Sequence, residues 1–464
     1  MKKIIYIAIS ALLLNSCHIY KSYDRPTDIS VPNTYRMPNG VDALVSTESL
    51  GNLAWTDIYT DNKLQDLINH GLANNTDLLI AIEKVNEAKA ALTTAKLSFL
   101  PLLSLNPQGG VSSYDGSSAS WTYDASASAS WEIDIFGSLL NAKRKAKVAM
   151  MQNKEYQQAV RTQLIATIAD YYFTLTALDR QLQIYTITEK SWAESVETIK
   201  AMKEGGMTNE AAVAQYEAYH ASIVAAIPDV KAEITKQENA LATLIGDFPR
   251  AIERNSIDLQ KTDIPLEVGI PIQLLSNRPD VKNAEYQLAS MYYNTNIARS
   301  AFYPQIKIGG SAGWTNSAGS VITNPGGLLL SALGSITQPL FYRGSNIAKL
   351  KIAKAQEEEA KLNFKQAILD AGREVSNALA VYDAELKKES SRELQITKLS
   401  NAVEYTKELL TLGSSTYLEV LDAQQSLLSA QLTKTEDQLK KLNAITSLYH
   451  ALGGGREIEI EMKE

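Results

Sequence analysis

Two carboxylates, Glu419 and Asp422, stand three residues apart in Gly413-Ser-Ser-Thr-Tyr417-Leu418-Glu419-Val-Leu421-Asp422-Ala-Gln-Gln425. They open a helical run that follows a glycine break, and the spacing puts both on one helix face. A plain hairpin accounts for the same residues, since Gly413 suits a helix C′ position and acids in a first turn suit the helix dipole. Other chemistry is sparse. His18, His70, His220 and His450 are scattered and join no cysteine or carboxylate cluster. No HExxH, CxxC, GxSxG or Walker-type loop occurs, and the eight methionines form no thioether cluster. These residues point to no catalytic group, no metal site and no enzymatic activity.

Cys17 is the single cysteine, which excludes a disulfide framework and a thiol metal site. It closes a targeting segment. Lys2-Lys3 forms a basic start, and Ile4 to Leu14 is an apolar run too short to span a bilayer as a permanent helix. Leu14-Asn15-Ser16-Cys17 then resembles a bacterial lipobox. Residues 1–16 read as a signal peptide, with a covalent lipid on Cys17 as the one attached group and no other cofactor. Histidine rather than aspartate follows the cysteine, so delivery to the outer membrane is the expectation, with the chain lipid-anchored there and extending into the periplasm. A net charge of −7 and the lack of any basic tract exclude nucleic acid as a partner.

Residues 17–60 read as an extended, proline-punctuated segment, and 61–250 as a first structural repeat. Asp61 is its expected N-cap, with Leu64, Leu67, Ile68 and Leu72 as an apolar stripe. Strands are expected at about 102–114 and 120–136. From Trp121 to Ile135 aromatic, alanine and isoleucine residues alternate without fault with Thr122, Asp124, Ser126, Ser128, Ser130, Glu132 and Asp134. Period two over this length, with aromatics near the ends, suits a transmembrane barrel strand as well as a long strand with one wet face. Leu139 to Glu204 contains neither Gly nor Pro, nearly 100 Å of helix at about 1.5 Å per residue. Its apolar residues fall three and four apart, the seam of a coiled coil. A hairpin at 205–207 and a return helix complete the unit.

After a linker at 251–272 the plan repeats over 273–455, followed by a charged tail at 456–464. Strands are expected at about 305–316 and 327–340, a second long helix carries a seam of Val375, Leu379, Tyr382 and Leu386, and a second hairpin falls at 413–415. Phe99 and Pro101 meet Phe302 and Pro304 at an offset of 203; Gly206 and Gly246 meet Gly413 and Gly453 at an offset of 207. Four strands per chain cannot close a useful barrel, and open edges are forbidden in lipid. Three chains related by cyclic symmetry would supply about twelve, within the range of outer-membrane barrels. The fold class is therefore a mixed α/β membrane protein, with long antiparallel coiled-coil helices in an α-barrel below a shared β-barrel.

The residues carry a resemblance at this point. Tyr23-Asp24-Arg25-Pro26, Arg278-Pro279-Asp280, Ala301-Phe302-Tyr303-Pro304, Gln338-Pro339-Leu340-Phe341 and Leu421-Asp422-Ala423-Gln424, together with Cys17, resemble the TolC-like outer-membrane efflux proteins, specifically the lipidated OprM/CusC/NodT-type factors of RND tripartite systems. The resemblance implies a homotrimeric channel-tunnel embedded in outer-membrane lipid. Its implied partners are a periplasmic adaptor (membrane fusion protein) and an inner-membrane RND transporter, and its implied function is a passive exit duct for small molecules or ions. It implies a periplasmic gate at Leu418, Glu419, Asp422 and Gln425, and adaptor-docking tips at Gly206, Met207, Gly413 and Ser414. Gln425 and Ser415 stand where some relatives carry arginine, which argues against a salt-bridge lock there. The alternative within the same architecture is the outer-membrane component of a type I protein secretion system. A soluble periplasmic scaffold is disfavoured by the alternating strands.

Overall fold

The computed structural model describes residues 20–27, 50–113, 115–116, 118–261, 278–315, 328–339 and 341–456. Cys17, Leu340 and residues 262–272 of the linker lie outside the described residues. A 3-10 turn at Leu50–Asn52 leads to α1 (Trp55–Ile58), α2 (Asn62–Asn74) and α3 (Thr76–Leu97). Strands β1 (Leu102–Ser112) and β2 (Ser120–Ile133) follow, then α4 (Ser138–Glu204) and α5 (Glu210–Leu244). The second half runs α6 (Pro279–Ser300), β3 (Gln305–Thr315), β4 (Leu328–Thr337), α7 (Ser345–Thr411) and α8 (Tyr417–Ala451). Helices α4 and α7 each have 67 residues, and α5 and α8 each have 35. Each pair is displaced by the same 207 positions, so the two halves superimpose in sequence from Ser138 and Ser345 onward.

The chain divides into two compact units. One gathers Met1–Ile29, Glu83–Glu155 and Lys282–Gln366; the other gathers Ser30–Ile82, Tyr156–Val281 and Ala367–Glu464. The first contains a four-stranded antiparallel sheet in the order β1-β2-β3-β4. Its register sorts the residues by face. Leu105, Ala127, Ala312 and Leu330 lie in one row, and Ser104, Ser128, Ser311 and Ser331 in the next. One face is thus apolar across all four strands; the other is mainly polar, with Glu132 and Lys307 paired at 3.6 Å, and carries Leu102 and Leu333 in the row of Ser130 and Gly309. Leu103, Leu105, Leu330, Leu333 and Ile336 remain exposed. Gly313 tolerates no side chain, since a Cβ there would lie 2.5 Å from Ser126 Cα. Close backbone approach between β2 and β3 explains that glycine.

Strand β2 ends at Ile133 rather than near 136, because Asp134 leaves the ladder to accept the amide of Leu140 at 2.7 Å and start α4. Phe136 turns out to stack on Tyr303 at 4.9 Å. Strands β1, β3 and β4 likewise stop at 112, 315 and 337, short of the bounds expected from alternation alone. Gln338 instead donates to the Phe302 carbonyl. The 17–60 segment is not extended throughout. Residues 50–52 and 55–58 are helical because their apolar side chains are drawn into the core, with Leu50, Ile58 and Tyr59 nearly inaccessible.

In the second unit Asp61 caps α2 through the amide of Lys63, and it also accepts from Tyr172, Asn255 and Gln260. Leu164, Ile168 and Leu175 of α4 are buried, as are Val375, Leu379 and Tyr382 of α7. Leu386 is not part of that seam. It is 41% exposed, and Glu385 occupies the buried position beside it. Arg278, 3% exposed, explains the Arg-Pro-Asp block. Its guanidinium meets Asp280 at 2.5 Å and Glu374 at 2.7 Å, and donates to the Ala451 carbonyl at 3.1 Å.

Candidate functional site

The two hairpin tips are built alike. Gly206 has φ +73° and Gly413 φ +74°, values that a Cβ would strain. Met207 N donates to Met202 O at 2.8 Å, and Ser414 N to Leu409 O at 2.8 Å, so both long helices end in the same six-to-one closure. Each return helix then starts from a side-chain cap. Asn209 accepts the amide of Ala212 at 3.1 Å, and Thr416 accepts that of Glu419 at 3.4 Å. Gly206, Met207, Gly413 and Ser414 are all exposed.

The tips differ in charge. Glu419 completes a capping box, its Oε2 accepting the Thr416 amide at 3.0 Å and the Ser415 hydroxyl. Those hydrogen bonds, the Ser415 one foremost, hold its carboxyl below the ordinary glutamate value. Ser415 therefore serves the cap rather than an interhelical lock. Asp422, one turn on and exposed, carries its charge on the same face. Leu418 is 49% exposed and Gln425 half-buried. The counterparts in the first hairpin, Ala212 and Gln215, carry no charge. The structure thus places Leu418, Glu419 and Asp422 together on open surface at the second tip alone.

Beneath the tips lies a shared apolar cluster. Trp192, Val196 and Ile199 of α4, Val213 and Tyr216 of α5, Leu410 of α7, and Val420 and Leu421 of α8 pack together. Hydrogen bonds tie the hairpins at the same level. Gln424 Nε2 donates to Ser195 Oγ at 3.1 Å, Tyr216 Oη to the Tyr417 carbonyl at 3.2 Å, and Lys407 Nζ to Ser191 Oγ at 3.4 Å. Burial pushes the Tyr216 phenol up to about 12, so it remains a donor at any physiological pH. These ties escape sequence reading because each joins residues some 200 positions apart. Only Gln424, inside the Leu-Asp-Ala-Gln block, could have been suspected.

A second concavity of about 540 Å³ is lined by Asp170, Glu374, Asn443, His450 and their neighbours. Burial pushes the Asp170 carboxyl up to about 7 and the His450 imidazole down, so both are favoured in their neutral forms. Among the described residues no group of three or more His, Cys, Asp or Glu is arranged to hold a metal ion.

The family model for outer membrane efflux proteins matches residues 67–247 and 270–454, one match per repeat. The cation efflux system protein CusC of Escherichia coli K12 is 30% identical over 452 residues, covering 96% of this chain and 98% of its own. A protein described as a probable outer membrane lipoprotein, SilC of Salmonella typhimurium, is 28% identical and covers 98% of both chains. Among solved structures, the open state of the MtrE outer membrane channel of Neisseria gonorrhoeae superimposes with a TM-score of 0.84 at 27% identity, over 95% of this chain and 98% of its own.

Proposed function

This chain belongs to the outer membrane efflux protein family, and from that premise we propose that three copies assemble into a continuous exit duct gated at the second hairpin. The sheet carries this reading. Four strands with an apolar and a mainly polar face, and exposed Leu103, Leu105, Leu330 and Ile336 on the apolar face of β1 and β4, need lipid on one side and further strands at both edges. Cyclic repetition meets both needs at once, with the serine rows facing a wet lumen.

Each assembled chain then contributes Glu419 and Asp422 to rings of like charge at one end of the duct. Such rings attract cations and oppose tight closure. Closure is held instead by the apolar cluster around Trp192 and by the Gln424–Ser195 and Tyr216–Tyr417 hydrogen bonds. The exposed tips at Gly206–Met207 and Gly413–Ser414 are the surface offered to a periplasmic adaptor, which in turn engages an inner-membrane RND transporter. Cys17 carries the lipid anchor. The duct is passive, so its role needs no catalytic residue, metal or cofactor, and the choice of cargo belongs to the pump.

Fractionation tests this assembly. The wild-type protein is expected in the outer-membrane fraction as a heat-dissociable trimer, with an acylated N-terminal mass that the Cys17→Ala variant lacks. A monomer in the soluble periplasm would refute it.

A further inference from the structure

Halfway along the second hairpin the helix seam is made of charges. Lys388 Nζ lies 2.6 Å from Glu385 and 3.9 Å from Asp437, and Arg392 Nε lies 2.9 Å from Asp437. Lys441 meets Glu389 at 3.0 Å, and Lys434 meets Glu393 at 3.4 Å. Four of these five pairs cross from α7 to α8. In four of the five pairs one partner is largely buried, with the Glu385, Lys441 and Asp437 side chains 5%, 6% and 14% exposed, while Lys434–Glu393 lies at the surface. Arg180 and Asp258 line an adjoining pocket with Lys434, together with Ile184, Ile187 and Ile396.

The first hairpin answers six of these eight positions with an apolar residue and the other two, Lys388 and Glu393, with uncharged Gln181 and Thr186. At the 207-residue offset Glu385, Glu389 and Arg392 correspond to Leu178, Leu182 and Tyr185. Lys434, Asp437 and Lys441 correspond to Ile227, Val230 and Ile234. Those six are buried or half-buried. The same seam is therefore hydrocarbon in one hairpin and ionic in the other. In the second hairpin the ionic stretch is flanked by buried Val375, Leu379 and Tyr382 on one side and by Leu410, Val420 and Leu421 on the other.

The two seams part at different cost. Separating an apolar seam exposes hydrocarbon to water, and nothing returns that loss. Parting ion pairs frees groups that water and salt solvate well, so a paired charge holds a seam less firmly than a packed leucine. We propose that the charged stretch of α7 and α8 is a compliant hinge, which lets the second hairpin's tip shift while the first hairpin, apolar at this level and ion-paired across its helices only nearer its tip, stays as a fixed frame. This rests on the reading of the second tip as the gate, and it says what regulates that gate: local ionic strength, or a charged partner surface that competes for the same side chains.

Spin labels on Ser390→Cys and Lys440→Cys report the separation of α7 and α8 at the hinge. Gln183→Cys and Glu233→Cys report the same separation in the first hairpin. Both pairs are placed in the full-length trimer, and distances are read by electron–electron double resonance at about 0.05 M and about 1 M salt, where screening lengths differ several-fold. The hinge pair is expected to shift to longer, broader distances at high salt and the first-hairpin pair to stay fixed, while channel conductance rises beyond the bulk increase in salt conductivity. A sixfold variant that imports Leu178, Leu182, Tyr185, Ile227, Val230 and Ile234 into the second hairpin is expected to lose the salt response. A hinge pair insensitive to salt, or equal shifts in both hairpins, overturns the hinge and leaves the gate untouched. A hinge pair that lengthens with no extra conductance instead overturns the gate reading, and the regulatory claim with it.

Discussion

Arg278→Ala is expected to lower the stability of the folded chain by about 2–3 kcal/mol, less than the full loss for a buried ionic group because the Asp280 and Glu374 carboxylates left behind are nearly half exposed. The reason lies in what stays behind. Arg278 is nearly inaccessible and supplies donors to Asp280, Glu374 and the Ala451 carbonyl. Alanine removes a donor from all three at the start of α6, leaving Asp280 only the Val281 amide, where the second repeat is fastened to the end of α8. Lysine restores charge but not the planar fork, so Arg278→Lys should recover only part of the loss. Thermal dissociation of the detergent-solubilised oligomer measures both variants; unchanged midpoints would refute this role. A pH dependence follows. Burial alone would raise the Asp280 carboxyl, but its hydrogen bonds with Arg278 hold it below its ordinary value. Its contribution is therefore complete above the unfolded pKa of about 3.9 and is lost as pH falls through the lower folded value.

Trp192→Ala is expected to act on the gate more than on assembly. Trp192 is 1% exposed, with Tyr216 and Tyr219 rings 5.6 Å away. Truncation of such a side chain costs about 3–5 kcal/mol. The cluster it anchors draws Leu410, Val420 and Leu421 of the second hairpin onto the first, so the loss falls on the joint between hairpins. The oligomer should survive, since the sheet belongs to the other compact unit and neither a strand residue nor Arg278 is part of this cluster. Single-channel conductance should rise, and Trp192→Phe should stay near wild type. A fully dissociated protein, or wild-type conductance in the alanine variant, would contradict the assignment.

Much of this organisation is legible in the sequence because its signals are local. The alternation from Trp121 to Ile133 needs only neighbouring residues, and the glycine closures at Gly206 and Gly413 need only a positive φ and a following cap. The duplication converts one hairpin into a control for the other, which is how the acids of the second tip stand out. What stays hidden is non-local or runs against the apolar pattern. A heptad search extends Tyr382 to Leu386, yet the helix buries Glu385 and leaves Leu386 in solvent, because a charged seam carries no hydrophobic signature. Asp134 reads as one more alternating residue until its carboxylate is seen capping α4. The Gln424–Ser195 tie joins two polar residues 229 positions apart, a spacing that no motif encodes.

Glu419 has two roles, and the central claim turns on separating them. A glutamine at this third helical position still supplies the oxygen that the capping box requires, while it carries no charge. The double variant Glu419→Gln/Asp422→Asn should therefore fold, assemble and dissociate on heating as the wild type does. In planar bilayers under a salt gradient, the reversal potential of the wild-type trimer is expected to report cation preference. That of the double variant should move toward zero, since the proposed gate sets both rings of charge at a constriction. A reversal potential identical in the two proteins would show that ions do not pass these carboxylates at a constriction, and the gate would have to be sought elsewhere.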